Sequence, residues 1–300
     1  MEINYHKGEL KCHRCAICDG YGCPGNMPGL GGVFDNKNFQ LNYDGWKKLQ
    51  SEIENKGKIN QLLNIKVSLE NLRCGPVTGA VENIGYFNEE DFYLPYLKTS
   101  FENGFGLCIG DGYPDFKLKF GIEALKKLNQ TQNVKAAFFL KPYPNSKLFE
   151  RISWIKPYAE FIGIDIDSYN IITMRNLVNL ERKTDKQLEE FRKQFDVPFV
   201  MKGVFTQEDL QLVEKVRPDI VYISNHGGRV ETEIGSTAEF LKNHSEYLKN
   251  YCKEIWVDGG IRTKKDVQTA IYFGASKVII GRPLIRAVFD NEPEEFKKFY

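Results

Sequence analysis

The sequence lacks three features that would place it in particular classes of protein. Lys and Arg total 41 while Asp and Glu total 40, so the net charge is only +1. A nucleic-acid-binding protein or a polybasic membrane anchor is expected to have a basic excess. No run of about 18 apolar residues is present, and the opening MEINYHKGEL contains no apolar signal core. We therefore expect a soluble cytoplasmic protein that binds neither nucleic acid nor membrane.

The composition is that of a chain with a sizeable core. Hydrophobic residues make up 42% and charged residues 27% of the 300 residues, which argues against intrinsic disorder. From about residue 72, short apolar runs alternate with charged segments, as in parallel strands that are covered on both faces. Eight such runs lie at residues 72–78, 106–110, 134–141, 161–167, 198–204, 219–225, 254–258 and 277–281.

The segments between these runs have the periodicity of helices. KLKFGIEALKKL, TDKQLEEFRKQF and TQEDLQLVEKV place apolar residues at i, i+3, i+4 and i+7. Thr206 and Thr263 stand where helix N-caps are expected. Eight units in one uninterrupted series predict an α/β fold, a TIM (β/α)8 barrel, rather than a doubly wound open sheet. We assign residues 72–300 to this barrel. Residues 1–71 form a cysteine-containing N-terminal extension over or beside it, with a helix at residues 43–56.

Unusual polar residues follow three of the predicted strands, and barrel enzymes carry their reactive groups at these C-terminal ends. After the sixth run, SNHGGR places His226 and Arg229 beside two glycines. An imidazole there can act as a base, and a guanidinium can bind a carboxylate. Lys202 interrupts the fifth run and needs an anionic partner if it is buried. Asp165 and Asp167 alternate onto one face of the fourth run, where a carboxylate near His226 would orient its ring.

The seventh and eighth runs end in glycine turns that carry arginine. VDGGIR contains Asp258, Gly260 and Arg262, and IIGRP contains Gly281 and Arg282. Such turns expose backbone N–H groups beside a guanidinium, and phosphate sites recur after the last two strands of barrels. The two turns together therefore predict a phosphate site.

In order and spacing, VYISNHGGR, PFVMKG, VDGGIRTKKDV and IIGRP resemble the FMN-dependent α-hydroxy-acid oxidase and dehydrogenase family, such as lactate and glycolate oxidases. The resemblance implies a TIM barrel that binds FMN at the strand C-terminal ends and oxidises a small L-2-hydroxy acid to the 2-oxo acid. It implies that His226 takes a proton from the substrate hydroxyl or α-carbon, paired with Asp165 or, as second choice, Asp167. Arg229 would bind the substrate carboxylate, and Tyr143 matches the family's active-site tyrosine.

The resemblance also assigns cofactor-binding residues. Lys202 would stabilise the anionic reduced flavin at its N1/O2 side, and Thr78 and Ser224 lie in flavin-contacting segments. Lys141 stands where the family has a glutamine that contacts the flavin. The ribityl chain and phosphate would be held by Asp258, Gly260, Arg262, Gly281 and Arg282. The stretch SYNIITM lacks the Gly-Arg-Arg that supplies a second substrate-binding arginine in the family.

Two alternative functions stay open on the sequence. The same FMN barrel occurs in enzymes like type-2 isopentenyl-diphosphate isomerase, whose diphosphate substrate requires extra cations in place of the His226–Arg229 pair. The other alternative is a non-catalytic flavin- or metal-binding protein, because the second substrate arginine is missing. No motif specifies the electron acceptor. A homo-oligomer is compatible with the resemblance, since relatives often form tetramers.

Four of the seven cysteines lie in one short segment. Cys12, Cys15, Cys18 and Cys23 have the spacing C-x2-C-x2-C-x4-C followed by proline. Ferredoxin-type iron–sulfur ligands have nearly this spacing, with a last gap one residue shorter. Four thiolates also satisfy the tetrahedral preference of zinc. We therefore predict a metal centre, with a [4Fe–4S] cluster and Zn as equal alternatives and unliganded or redox-active thiols as the third.

Overall fold

The computed structural model describes residues 37–171, 178–230 and 232–300. Its strands are β1 (Leu72–Cys74), β2 (Leu107–Gly110), β3 (Ala136–Leu140), β4 (Ala159–Asp165), β5 (Phe199–Val204), β6 (Ile220–Ile223), β7 (Glu254–Val257) and β8 (Lys277–Ile280). They form one parallel sheet in the order β1-β8-β7-β6-β5-β4-β3-β2. A parallel bridge between Arg73 and Gly106 joins β1 to the residue before β2 and closes the ring. The predicted TIM barrel is confirmed, and each of the eight apolar runs overlaps one strand, although β4 begins two residues before its predicted run.

Two helices precede β1, and the others follow the strands on the outside of the ring. They are α1 (Lys37–Asn55), α2 (Ile59–Leu63), α3 (Tyr93–Glu102), α4 (Phe116–Asn129), α5 (Asn145–Ile155), α6 (Asp185–Arg192), α7 (Gln207–Val216), α8 (Thr237–Leu248), α9 (Lys264–Tyr272) and α10 (Arg282–Asp290). A π-helical turn, Ala80–Ile84, follows β1, and the 3-10 turns Ser168–Asn170 and His226–Gly228 follow β4 and β6. Within the described ranges, no helix combines the length and apolar character needed to cross a lipid bilayer.

Large side chains fill the inside of the ring. Phe139, Tyr222 and Trp256 contact one another through tilted or edge-on rings with centroids 5.4, 6.2 and 6.5 Å apart. The Arg73 guanidinium lies 5.1 Å from the ring centres of both Phe161 and Trp256. Because the interior is packed core rather than a channel, a ligand has access only where side chains leave space at an end of the barrel.

The two predicted N-cap residues take part in reciprocal caps. Thr206 Oγ1 accepts from Asp209 N at 3.2 Å, and Asp209 Oδ2 accepts from Thr206 N at 2.9 Å. Thr263 and Asp266 make the same pair of bonds at 3.2 and 2.9 Å. Both predicted N-caps are confirmed. Asp266 Oδ2 also accepts from Arg262 N at 2.9 Å, so the cap of α9 fixes the backbone of the turn before it.

Helix α1 covers the C-terminal ends of the later strands. It begins at Lys37, earlier than the predicted start, and the Trp46 side chain is fully buried against the barrel. Trp46 Nε1 donates to Gly259 O at 2.7 Å, and Gln50 Nε2 donates to Asp266 Oδ1 at 2.9 Å. The described part of the predicted extension therefore packs directly on the barrel. The division of the chain at residue 71 stays a prediction.

Candidate active site

A cavity of about 270 Å³ opens at the C-terminal ends of the strands. Parallel strands bring their carboxyl ends to one rim of the barrel, so side chains far apart in sequence meet there. Ten of the predicted site residues line the cavity: Thr78, Lys141, Lys202, His226, Arg229, Asp258, Gly260, Arg262, Gly281 and Arg282. The structure thus brings together most of the residues that sequence analysis singled out.

Two buried lysines share one carboxylate at the base of the cavity. Lys202 Nζ lies 2.8 Å from Asp165 Oδ1, and Lys141 Nζ lies 2.9 Å from Asp165 Oδ2. The pairing follows from strand register, because Asp165 of β4 stands directly opposite Lys202 of β5. Burial opposes ionisation of Asp165, but Lys141 and Lys202 outweigh it and hold the pKa of this carboxyl below its usual range.

His226 is paired with Asp167, and the predicted pairing with Asp165 is wrong. His226 Nδ1 lies 3.0 Å from Asp167 Oδ2, whereas the closest approach of Asp165 is 4.0 Å, to Nε2. β4 ends at Asp165 while His226 lies beyond the end of β6, so only the carboxylate past the end of β4 reaches the ring. Gly203, at φ +95°, makes room, because a Cβ there would lie 2.4 Å from Asp167 Cγ.

The surroundings of His226 set its protonation. Its Nε2 lies 3.1 Å from Lys141 Nζ, an ammonium that can only donate, so Nε2 is the acceptor and Nδ1–H donates to Asp167. Burial, Lys141 and Lys202 lower the pKa of His226 well below its ordinary value, which keeps the ring neutral. Burial and the nearby Asp165 carboxylate raise the pKa of Asp167 to about 7.

The same cluster offers ligand atoms for a cation but already contains ammonium groups. Atoms of Asp165, Asp167 and His226 lie within 4.8 Å of one another, a spacing that can hold a metal ion. Both oxygens of Asp165 are, however, engaged by lysine ammonium groups at 2.8 and 2.9 Å. A cation placed among them would meet two positive charges at short range, so the arrangement favours an acid–base site over a metal site.

Two guanidinium groups, those of Arg229 and Arg282, line the cavity and interact electrostatically. Burial and the like charge of Arg282 lower the pKa of Arg229 to about 9. In the described part of the chain, no carboxylate offsets this charge, since Arg282 is the one charged group that acts on it. Arg282 itself donates from Nη1 to Asn83 O at 2.9 Å. A half-buried, uncompensated guanidinium beside a neutral imidazole is suited to an anionic ligand.

The far end of the cavity has the features of a phosphate site. α10 begins directly after β8, and no side chain caps its N-terminus at Gly281. A Cβ added at Gly281 would meet no atom within 4 Å, so space is open in front of these backbone N–H groups. Arg262 and Arg282 line the same region. An anion-binding helix end and guanidiniums, together with Lys202 in the same cavity lining, fit the phosphate and the ring of a flavin mononucleotide.

Helix α1 supplies site contacts that sequence analysis missed. The side-chain amides of Asn42 and Asn225 donate hydrogen bonds to each other, at 2.7 and 3.0 Å. Asn225 Oδ1 also accepts from Gly228 N at 2.9 Å. Gly260, at φ +76°, packs so closely under α1 that a Cβ would lie 2.1 Å from Asn42 O. Phe39 and Asn42 line the cavity. The buried asparagines at positions 38 and 42, one helical turn apart, are the signal that could have revealed this contact.

Besides Asp165, two further predicted residues, Tyr143 and Ser224, are absent from the cavity lining. Tyr143 is absent from the lining; its hydroxyl lies 3.5 Å from Gly112 O, and the Arg151 guanidinium lies 4.5 Å from its ring centre. Arg151 is held there by a buried ion pair with Asp111. Ser224 is fully buried, and its Oγ accepts from His226 N at 3.1 Å. The predicted direct roles of both residues stay predictions, and the geometry places them as supports.

The metal-site prediction lies outside the described part of the chain. Cys12, Cys15, Cys18 and Cys23 all precede residue 37, where description begins. Among the described residues, the cysteines are Cys74, Cys108 and Cys252, each a free thiol. Burial raises the pKa of the Cys108 thiol to about 12 and that of Cys252 to about 11. Burial therefore favours the thiol over the more reactive thiolate at these positions.

Comparison with known proteins places the chain in a family. Residues 129–295, more than half of the chain, match the sequence model of the FMN-dependent dehydrogenases. 2-Hydroxyacid oxidase 2 of Bos taurus is 35% identical over 100 residues, or 33% of this chain and 28% of that protein. An L-lactate dehydrogenase of Vibrio parahaemolyticus is 37% identical over 103 residues, covering 34% and 27%. These alignments span about a quarter of the length of the curated relatives.

The fold comparison extends further along the chain. The structure of mandelate oxidase with (S)-2-phenylpropionate superposes with a TM-score of 0.64 at 18% identity, covering 91% of this chain and 87% of that one. A match at this identity establishes the shared barrel and nothing finer. Three observations indicate the same family: the barrel fold, the hydrogen-bond donors at its rim and the sequence match over more than half of the chain. The chain belongs to the FMN-dependent dehydrogenase family, and FMN is its cofactor.

Proposed function

We propose that this protein oxidises a small L-2-hydroxy acid to the corresponding 2-oxo acid. The observation that carries the proposal is the neutral His226, whose Nε2 accepts a hydrogen bond from Lys141 at the cavity wall, next to Arg229, whose charge is offset by no carboxylate of the described residues. A base and a carboxylate-binding cation side by side are what a hydroxy acid requires. The matched relatives are a 2-hydroxyacid oxidase and an L-lactate dehydrogenase, which supports the same class of substrate.

Different cavity residues would bind the phosphate and the ring of FMN. Arg262, Arg282 and the N-terminus of α10 would hold the phosphate, and Lys202 would face the ring. When bound, FMN supplies a two-electron acceptor for the hydrogen on the substrate α-carbon. Lys202 stays protonated for this role, because Asp165 and Asp167 outweigh burial and raise its pKa.

The protein side of the reaction is a proton transfer to His226. Arg229 binds the substrate carboxylate, which places the α-hydroxyl near Nε2, and Nε2 takes the hydroxyl proton. Asp167 holds the ring by accepting from Nδ1–H at 3.0 Å and stabilises the imidazolium that forms. An isomerase acting on a diphosphate would require additional cations where the His226–Arg229 pair stands.

Anaerobic mixing of the FMN-loaded protein with a panel of 2-hydroxy acids tests the proposal. We expect at least one L-2-hydroxy acid to bleach the flavin absorbance. His226→Ala should retain FMN but lose this reduction, while His244→Ala, a matched change on the outer helix α8, should reduce at the wild-type rate. Wild-type protein that binds FMN but is reduced by no member of the panel would contradict the function. Wild-type reduction by His226→Ala would contradict the role of the base.

We also propose that Cys12, Cys15, Cys18 and Cys23 bind one metal centre, either a [4Fe–4S] cluster or Zn. Their spacing supports the proposal. A cluster would provide a one-electron outlet for the reduced flavin and favour a dehydrogenase over an oxidase, whereas zinc would only pin the segment. Anaerobic purification with iron, sulfide and zinc analysis distinguishes the two. Folded, FMN-loaded protein that contains none of these elements would refute it.

A further inference from the structure

Lys141 occupies an unusual place at the base of the substrate space. It follows β3 directly, and its side chain is only 6% exposed although it lines the cavity. Its ammonium lies 2.9 Å from Asp165 Oδ2 and 3.1 Å from His226 Nε2. Asp165 thus anchors the ammonium from one side and leaves its remaining N–H groups directed at the base. The resemblance to the family offers no role for a cation here, because a glutamine is usual at this position.

The Lys141 ammonium lies beside the lone pair on His226 Nε2. Nδ1–H of His226 is committed to Asp167, so the atom that faces Lys141 carries the lone pair that takes the substrate proton. An oxygen atom at hydrogen-bond distance from Nε2, about 2.8 Å, can also lie about 2.8 Å from Nζ, because the two nitrogens are 3.1 Å apart. A hydroxyl that gives its proton to His226 can therefore be bound by Lys141 at the same time.

We propose that Lys141 is a second catalytic cation, which donates a hydrogen bond to the substrate α-oxygen as His226 Nε2 takes the hydroxyl proton. The inference rests on the proposed function and names the group that binds the reacting oxygen. The proton moves from oxygen to Nε2, Lys141 keeps its own proton, and the negative charge that develops on the oxygen is balanced by the ammonium. A preorganised donor in a buried site stabilises such charge far better than water does.

The same contact determines the state of His226 before substrate binds. A proton on Nε2 would face the Lys141 ammonium at hydrogen-bond distance, so the resting base is kept unprotonated. The charged groups that face the ring come from three strand ends and from its own loop: Lys141, Asp165, Asp167, Lys202 and Arg229. Loss of Lys141 removes one positive charge from this set, so the base should then protonate at higher pH.

Lys141→Met and Lys141→Gln, both loaded with FMN, separate the charge from the hydrogen bond. Anaerobic flavin reduction by the best hydroxy acid should fall about 10²–10³-fold in Lys141→Met, the usual loss for one donor to a developing oxyanion. It should fall less in Lys141→Gln, which keeps an N–H. Lys183→Met is the matched control: Lys183 is equally buried and ion-paired, with Glu181, but lies outside the cavity lining. It should reduce at the wild-type rate.

A second measurement does not depend on turnover. The chain has only four histidines, so NMR of histidine-labelled protein can follow His226, assigned by its absence in His226→Ala. In Lys141→Met the pKa of His226 should rise, because one of the positive charges facing the ring is lost. A lysine that serves only to fill space would leave this pKa unchanged.

The outcomes separate this inference from the proposed function. If no hydroxy acid reduces the wild-type protein, the function fails and the role of Lys141 fails with it. If the wild type is reduced but Lys141→Met is reduced equally fast, only the role of Lys141 is overturned. An unchanged pKa of His226 in folded, FMN-loaded Lys141→Met, or an equal loss in Lys183→Met, would overturn it as well.

Discussion

Replacing Arg229 by Met should stabilise the folded protein while removing its affinity for anionic substrates. Burial and Arg282 lower the pKa of Arg229 from 12.5 to about 9. A guanidinium whose pKa falls on folding disfavours the folded state at every pH below the lowered value, so the penalty is present at neutral pH. Met has a similar length and no charge, so the penalty disappears in the variant.

The structure bounds the size of this effect. The shift from 12.5 to about 9 corresponds to at most about 5 kcal/mol, at 1.36 kcal/mol per pH unit. The Arg229 side chain is half-buried, so solvent screening reduces the expected gain to about 1–2 kcal/mol. For a protein of this size, we expect the Tm to rise by about 2–4 °C.

Thermal unfolding of the FMN-loaded protein, with and without oxalate, measures both halves of the prediction. Oxalate at 100 times its Kd should stabilise the wild type by about 2.7 kcal/mol and leave Arg229→Met unchanged. Arg286→Met, a surface arginine paired with Asp290 on α10, should shift stability by less than about 0.5 kcal/mol. A variant less stable than the wild type in oxalate-free buffer, or one still stabilised by oxalate, would refute the reasoning.

Three further changes test other parts of the site. Asp167→Asn should bind FMN but slow its reduction by about 10⁴-fold, as for other base-orienting carboxylates. In the wild type, the reduction rate should decline as pH falls through about 7, where Asp167 becomes protonated. Unchanged reduction kinetics would contradict the pairing with His226. Asn42→Ala should raise the KM for the hydroxy acid and lower the Tm, because it releases the loop that carries His226; kinetic assays that show neither change would exclude a positioning role for α1. Gly260→Ala should weaken FMN binding in a fluorescence titration, because its Cβ would collide with α1. Gly57 also has a positive φ but open space around it, so Gly57→Ala should lose stability only. Equal FMN affinity in both variants would contradict the close packing.

Periodicity and strand-end chemistry were enough to predict the barrel and most of the cavity lining. Parallel strands covered by helices are apolar on both faces, so they appear in the sequence as short apolar runs. A polar residue at the end of such a run is expected to lie at the barrel rim. Lys202 and Arg282 were predictable for this reason, and both line the cavity.

The choice between Asp165 and Asp167 needed the tertiary structure. The two residues are separated by one position in the predicted fourth strand, so side-chain periodicity alone places them on one face and ranks them equally. Strand register places Asp165 opposite Lys202, and the end of β4 leaves Asp167 at the height of His226. The placement of Tyr143 was likewise invisible, since its ring position depends on Arg151 from the following helix.

The amino-acid order by itself determined the repeating strands and helices, the caps of α7 and α9 and the cations at the barrel rim, because these depend on neighbours within one or two turns of chain. Only the tertiary structure decided which charges meet. Lys141, Asp165 and His226 come from three separate units, and their partnership depends on how those strands are staggered around the ring. The covering of the site by α1 depended on the same long-range packing, which no local pattern encodes.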